Sequence, residues 1–330
     1  MQRVSCIDIG TVTARLAVAD VEGGRVQRLI KQSTIVDVGE GLTATGRICE
    51  AAQTRLLNCV DGYLAAARQA KAPVMCCTMT SAARDASNSE QVVSQLAARG
   101  LTAQVIPGEV EGMLTFLGIS QDFPGKPILI ADNGGGSTEL ALGQMVDGVI
   151  DLALVKSVDV GCRRITERFL SGREDGVPSK QGLAAAHCFA QELFAPVVER
   201  IRTARMAPER LLVCGGTVTT LFAIEAELDP YDSSRVHLHD LTLEQVEQLE
   251  ARLAAMTVDQ RAQLKGIQPK RARVILGGTV AIAELMKATG FDRLTVSESD
   301  LLFGLALTVA AAVAGDKSPV GWVPSLTSLG

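Results

Sequence analysis

Apolar and polar positions in the first forty residues change in short blocks rather than at helical spacing, and they predict a β-meander. It runs through Val4 to Ile9, a turn at Gly10-Thr11, Ala14 to Ala19, a turn at Gly23-Gly24, and Gln27 to Val38. Helical periodicity follows from about Glu50 to Ala70, with Leu56, Leu57, Val60, Leu64 and Ala67 on one face. Val74 to Thr78 and Thr102 to Ile106 are predicted strands, and Gln91 to Ala98 and Glu109 to Leu117 predicted helices. Gln121-Asp122-Phe123-Pro124-Gly125-Lys126-Pro127 breaks the pattern with turn-forming residues and predicts a hinge between domains at 1–124 and 125–330.

After the break the meander begins again, with strands at Ile128 to Asp132, Thr138 to Leu142 and Gly148 to Val155. In both halves a buried strand ends in Asp, passes a glycine turn with hydroxyl residues and returns as a second strand. That repetition predicts two duplicated α/β domains sharing a cleft. A third strand, Leu211 to Cys214, runs through Gly215-Gly216-Thr217 into a helix. Leu243 to Met256, Pro269 to Thr289 and Leu301 to Ala314 are predicted helices, the last able to pack back on the first domain, and the tail from Gly315 is expected to be loosely held. Leu301 to Ala314 is the longest apolar stretch, yet it falls short of the roughly 20 residues of a membrane span and is expected to be a core helix.

Composition narrows the function classes. Hydrophobic residues at 47% and charged residues at 21% are globular values, and 330 residues favour two domains. Aromatic residues at 3% and a formal charge of -5 argue against nucleic acid as a partner, although they do not exclude a polyanionic substrate. No charged and then apolar leader precedes the first strand, so a cytoplasmic location without a membrane partner is expected. The eight cysteines form no CxxC pair and are expected to be reduced core thiols; His237 and His239 have no cysteine nearby to complete a zinc set.

The chemistry concentrates in Asp132-Asn133-Gly134-Gly135-Gly136-Ser137-Thr138-Glu139. Three glycines let successive amides converge on an anion, Ser137 and Thr138 add hydroxyls, and Asp132 and Glu139 are placed to hold a divalent cation. Gly10 and Thr11 are the corresponding phosphate candidates of the first loop, with Asp8 the corresponding metal-side carboxylate. Two such loops in two domains are characteristic of the actin, sugar-kinase and heat-shock-protein superfold, built from RNase H-like domains. A kinase is therefore one reading at this point.

The residues between the loops discriminate. Thr80 to Asn88, Ile106 to Glu111 and Leu114 to Gly118 together resemble the exopolyphosphatase and guanosine pentaphosphate phosphohydrolase (Ppx/GppA) family in its short, two-domain form. The likeness continues through Ser157 to Arg168, Gly215 to Thr220, Tyr231 to His237 and Gly266 to Val296. The resemblance implies that Glu111 is the catalytic carboxylate acting on water, that Arg84 binds phosphate, and that Mg2+ or another divalent cation is the cofactor. It also implies hydrolysis of terminal phosphoanhydride bonds of inorganic polyphosphate, with guanosine pentaphosphate as the alternative substrate and a homodimer as a candidate assembly. Lys156, Arg163, Arg164 and Arg168 are the nearest basic candidates for holding the rest of a polyphosphate chain.

Several positions depart from the family pattern. Val12-Thr13 stand where Asn-Ser is usual, Asn133 replaces an apolar residue, Pro107 a serine and Val110 a polar neighbour of Glu111. Ser297 to Gly304 also lacks the usual Gly, Arg and Glu. A non-hydrolysing binder of polyphosphate or of the guanosine nucleotide is thus a second class of reading, and a sugar or acetate kinase the third. Persistence of Arg84, Glu111, Asp132 and Glu139 favours the hydrolase.

Overall fold

The coordinates are a computed structural model and describe residues 1–171 and 176–330. The strands in chain order are β1 Gln2–Ile9, β2 Thr13–Glu22, β3 Arg25–Ile35, β4 Val74–Met79, β5 Ala103–Val105, β6 Ile128–Asn133, β7 Thr138–Val146, β8 Val149–Val158, β9 Arg210–Cys214, β10 Asp240–Thr242, β11 Arg293–Val296 and β12 Leu326–Ser328. They form one sheet ordered β12-β4-β1-β2-β3, with β5 also on β4, and a second ordered β10-β11-β9-β6-β7-β8. The chain divides into unit 1, Met1–Gly125 with Met145–Asp151 and Asp300–Gly330, and unit 2, Lys126–Gln144 with Leu152–Ser299.

Period-two alternation places the apolar residues of β1 on both faces of its sheet. Ile7 and Ile9 join a core with Met75, Cys77 and the helix Glu50–Gln69. Val4 and Cys6 join another with Cys76, Leu114 and Leu301, from the helices Gly108–Ser120 and Leu301–Ala314. In unit 2, Leu129 and Ala131 of β6 share one core with side chains from the helices Lys180–Arg202, Gly216–Glu225, Leu243–Ala254 and Ile275–Thr289.

The duplication read from the sequence is present residue by residue. β1 pairs antiparallel with β2 and parallel with β4, so Asp8 faces Arg15 on one side and Thr78 on the other. β6 pairs in the same way with β7 and β9, and Asp132 faces Glu139 and Cys214.

Three expectations are corrected. The tail is held: β12 pairs with Val74 to Cys76, and Leu329 is buried in the unit 1 core. The helix expected over Pro269 to Thr289 is a 3-10 turn, Pro269–Arg273, followed by a separate helix, Ile275–Thr289. The eight cysteines are free as expected, but Cys49 and Cys188 are exposed. The helix Lys180–Arg202, 23 residues long, is absent from the periodicity reading. Its buried stripe starts with the small residues Ala186 and Ala190, and Pro196 lies inside it, a residue that ordinarily ends a helix.

One polar junction ties three unit 2 helices together. His187 lies between Glu284, 2.8 Å from Nδ1, and Glu250, 2.8 Å from Nε2; Lys287 reaches Glu247 at 2.9 Å and Glu284 at 3.2 Å. Hydrogen bonds to Glu250 and Glu284 outweigh burial and push the His187 pKa up to about 9, so the ring is an imidazolium donating from both nitrogens. A folded-state pKa above the unfolded value means that the stabilisation is complete below about pH 6.5 and disappears as pH rises through about 9. Urea midpoints measured at pH 6 and pH 9.5 should fall with pH in the wild type and fall less in His187→Gln. Equal pH dependence in both proteins would show that this junction does not carry the effect.

Candidate phosphate-binding and catalytic residues

In unit 1 the turn after β1 is closed by the Gly10 amide donating to Thr13 O at 3.0 Å. The Thr11 carbonyl accepts from Gly39 N at 2.8 Å, and the Val12 carbonyl from Val36 N at 3.0 Å and Asp37 N at 2.9 Å. A trans peptide points its N–H opposite to its C=O, so the Val12 and Thr13 amides turn away from this anchoring strand end. Thr11 Oγ1 is buried without a hydrogen-bond partner. Asp8 is also buried; its Oδ2 takes both Nε and Nη2 of Arg15, at 3.1 and 2.7 Å, whereas Oδ1 has no hydrogen-bond partner. Burial pushes the Asp8 carboxyl above its ordinary pKa, and Arg15 opposes that only in part.

Unit 1 also brings Arg84 and Glu111 together. Arg84, on the short helix Ser81–Asp85, donates from Nη1 to Glu111 Oε2 at 2.8 Å and to the Ile106 carbonyl at 3.0 Å. Glu111 is buried in the first turn of the helix Gly108–Ser120, where the helix dipole favours a carboxylate. The ion pair fixes the direction of the carboxylate.

Unit 2 repeats the turn, with the Gly134 amide on Ser137 O at 3.0 Å. Here the carbonyls of three consecutive glycines are committed to the segment after β8. Gly134 O accepts from Cys162 N at 3.0 Å, Gly135 O from Arg163 N at 2.8 Å and Arg164 N at 3.2 Å, and Gly136 O from Arg164 Nε at 2.6 Å. Peptide planarity therefore turns the N–H groups of Gly135, Gly136 and Ser137 away from that segment. Amides turned to one side of a glycine turn are the kind of donors from which anion-binding concavities are built.

The hydroxyls expected to assist have structural partners. Ser137 Oγ donates to Glu139 Oε1 at 2.7 Å, as does Ser157 Oγ, also at 2.7 Å. Thr138 Oγ1 donates to the Val160 carbonyl at 2.5 Å and accepts from Asn133 Nδ2 at 2.9 Å. Asn133 and Thr138 are register partners, so this bond staples the neck of the loop and gives Asn133 a role that the sequence did not reveal. Asp132 and Glu139 are opposed on adjacent strands and both are buried. Cys162 is buried beside the loop; burial pushes its thiol up although Arg271 and Arg163 act the other way, so it is no ready nucleophile.

Sequence reasoning missed Arg15, Asp300 and Ser157. Arg15 was accessible in principle, since a hairpin about the first turn places it opposite Asp8. Ser157 and Asp300 come from later segments. Of the basic candidates, Arg164 braces the loop through Gly136 O, and Arg163 pairs with Glu167 at 3.0 Å. Among the described residues no three His, Cys, Asp or Glu side chains gather as a metal set, and no helix is long and apolar enough to cross a membrane.

The two duplicated α/β halves, each with an Asp-ended strand and a glycine turn, define an actin-like fold. The chain belongs to the Ppx/GppA phosphatase family, whose profile matches residues 17–309. It is 34% identical to exopolyphosphatase 2 of Mycobacterium tuberculosis, an alignment covering 94% of this chain and 99% of that protein. Among solved structures, an exopolyphosphatase from Cytophaga hutchinsonii matches with a TM-score of 0.83 at 26% identity, covering 97% of this chain and 100% of the other. A Ppx/GppA family member from Aquifex aeolicus matches with a TM-score of 0.76 at 25% identity, covering 94% and 98%. These likenesses support the reading of the chain as an enzyme, a hydrolase of phosphoanhydride bonds.

Gly161 is where the second loop is most sensitive. A Cβ there would lie 2.5 Å from Gly135 C and O and from Gly136 C, so backbone must move. Gly161→Ala should lower stability by about 1–3 kcal/mol, the usual cost of overpacking, measured by chemical denaturation. An unchanged midpoint would mean that the loop yields freely.

Proposed function

We propose that the protein is an exopolyphosphatase that removes orthophosphate from the ends of inorganic polyphosphate. The observation that carries the reading is the glycine loop of unit 2, whose carbonyls are held on one side so that the amides of Gly135, Gly136 and Ser137 face the other. Gly134 completes that turn, and Gly10, Thr11 and Arg84 are the phosphate-binding groups proposed for unit 1. Thr138 contributes by shaping the loop, because its hydroxyl already has two partners.

Glu111 is the proposed base. The oxygen of a water forms a new bond to the terminal phosphorus while the bridging P–O bond breaks. The electron pair of that bond leaves with the bridging oxygen, which becomes the end of a chain one phosphate shorter, and the water proton passes to the Glu111 carboxylate. Negative charge grows on the phosphoryl oxygens during the step. In unit 2 the loop amides, and in unit 1 the Arg84 guanidinium, are each donors of the kind that stabilises such charge.

The residues also suit a magnesium-type cation. Asp132 and Glu139 are buried carboxylates at paired positions of adjacent strands, oxygen ligands of the type a divalent cation takes. Two hydroxyl donors on one oxygen mark Glu139 as an acceptor, and the unpartnered Asp8 Oδ1 and Thr11 Oγ1 are buried oxygens suited to a hydrated ion. Magnesium usually needs only one or two carboxylates beside waters and phosphate oxygens. Bound there, it would supply Lewis-acid stabilisation of the phosphoryl charge.

Release of orthophosphate from short polyphosphate, long polyphosphate and guanosine pentaphosphate should be compared by a colorimetric phosphate assay. Polyphosphate turnover is the expected result; release from none of the three would end the hydrolase reading, and release from the nucleotide alone would reassign the substrate. Glu111→Gln keeps the shape of the side chain and should lower kcat by about 10²–10⁴-fold, the ordinary contribution of a general base. Wild-type kcat in that variant would remove Glu111 from the role.

A further inference from the structure

Asp300 lies in the C-terminal stretch that departs from the family pattern, and it makes connections that neither the loops nor the Arg84–Glu111 pair explains. Both contacts from Arg15 to Asp8 fall on Oδ2, while the remaining guanidinium nitrogen, Nη1, reaches Asp300 Oδ2 at 3.0 Å. Lys31 Nζ approaches the same oxygen at 3.4 Å. The other oxygen, Asp300 Oδ1, accepts from Leu302 N at 2.9 Å and caps the helix Leu301–Ala314. Two buried carboxylates thus share the Arg15 guanidinium at the end of β1, and Asp300 also pairs with Lys31.

The capped helix lies directly on the Glu111 helix. A Cβ on Gly118 would strike the Asp300 carbonyl oxygen, and one on Gly304 would strike the Leu114 carbonyl oxygen, so backbone meets backbone. All these residues belong to unit 1. Asp300 therefore joins the Asp8 carboxylate, through Arg15, to the helix that carries Glu111. Burial alone would push the Asp300 carboxyl up, but Lys31, Arg15 and the Leu302 amide together hold it below its ordinary range.

We propose that Asp300 is a positioning residue of the reaction, acting through Arg15 to hold the Asp8 carboxylate by Oδ2 and to fix the first loop to the Glu111 helix. It touches no reacting atom. The inference rests on the hydrolase reading for its effect on turnover, but not for its effect on the loop.

Asp300→Asn is the discriminating variant, because Asn is an equally good helix cap and only the charge is removed. In the full-length protein, hydrogen exchange in residues 8–15 should become about tenfold faster, with exchange in the helix Glu50–Gln69 unchanged. Phosphate release from polyphosphate should show kcat reduced about tenfold and KM within about twofold of the wild type. Unchanged exchange in residues 8–15 overturns the proposal, as does equal acceleration in both segments, which would mark Asp300 as a stability residue only. A local acceleration with wild-type kcat also overturns it. A wild-type protein releasing no phosphate overturns the hydrolase reading instead, and the exchange comparison then decides the positioning role.

Discussion

The glycine loop of unit 2 takes its character from the bonds on its far side. Cys162, Arg163 and Arg164 occupy the carbonyls of Gly134, Gly135 and Gly136, and each peptide bond, being planar, then presents its N–H in the opposite direction. A run of glycines alone would be a flexible hairpin, since glycine has the greatest conformational freedom to lose. Anchoring three carbonyls converts that freedom into a fixed set of donors. The close approach at Gly161, the Asn133 staple at the neck and the Arg164 brace all serve this one constraint.

The same turn is used twice with opposite electrostatics. Asp8 and Asp132 occupy equivalent strand ends, and both turns close through a glycine amide. Across the strand, however, Asp8 meets Arg15 whereas Asp132 meets Glu139. The register partner of the carboxylate is thus a cation in unit 1 and a second buried carboxylate in unit 2. Unit 1 supplies Glu111, whose direction Arg84 fixes.

Membership of the Ppx/GppA family fits the residues from which the sequence suggested it, notably Thr80 to Asn88 and Ile106 to Glu111. Asn133 replaces an apolar side chain yet satisfies Thr138, so the change adds a bond within a buried neck. Asp300 lies in another departure from the family pattern and introduces a charge that Arg15 and Lys31 balance. The Val12 side chain is buried and apolar, and its contribution to the loop is through the backbone carbonyl.

By itself the sequence determined most strands and helices, the repeated Asp-glycine turn and the family, but not β10, β11 or β12. Each follows from local periodicity, from turn chemistry, or from residue types quoted in order along the chain. Tertiary structure alone decided which polar groups are committed to one another. Arg164 meets Gly136 across 28 positions, Ser157 meets Glu139 across 18, and Asp300 meets Arg15 across 285. Such partnerships leave no periodic trace, because a hydrogen bond constrains only two atoms and the chain between them is free in length. The long helix with Pro196 and the pairing of the tail through β12 were hidden for a related reason: packing against a completed core outweighed weak or contrary local preferences.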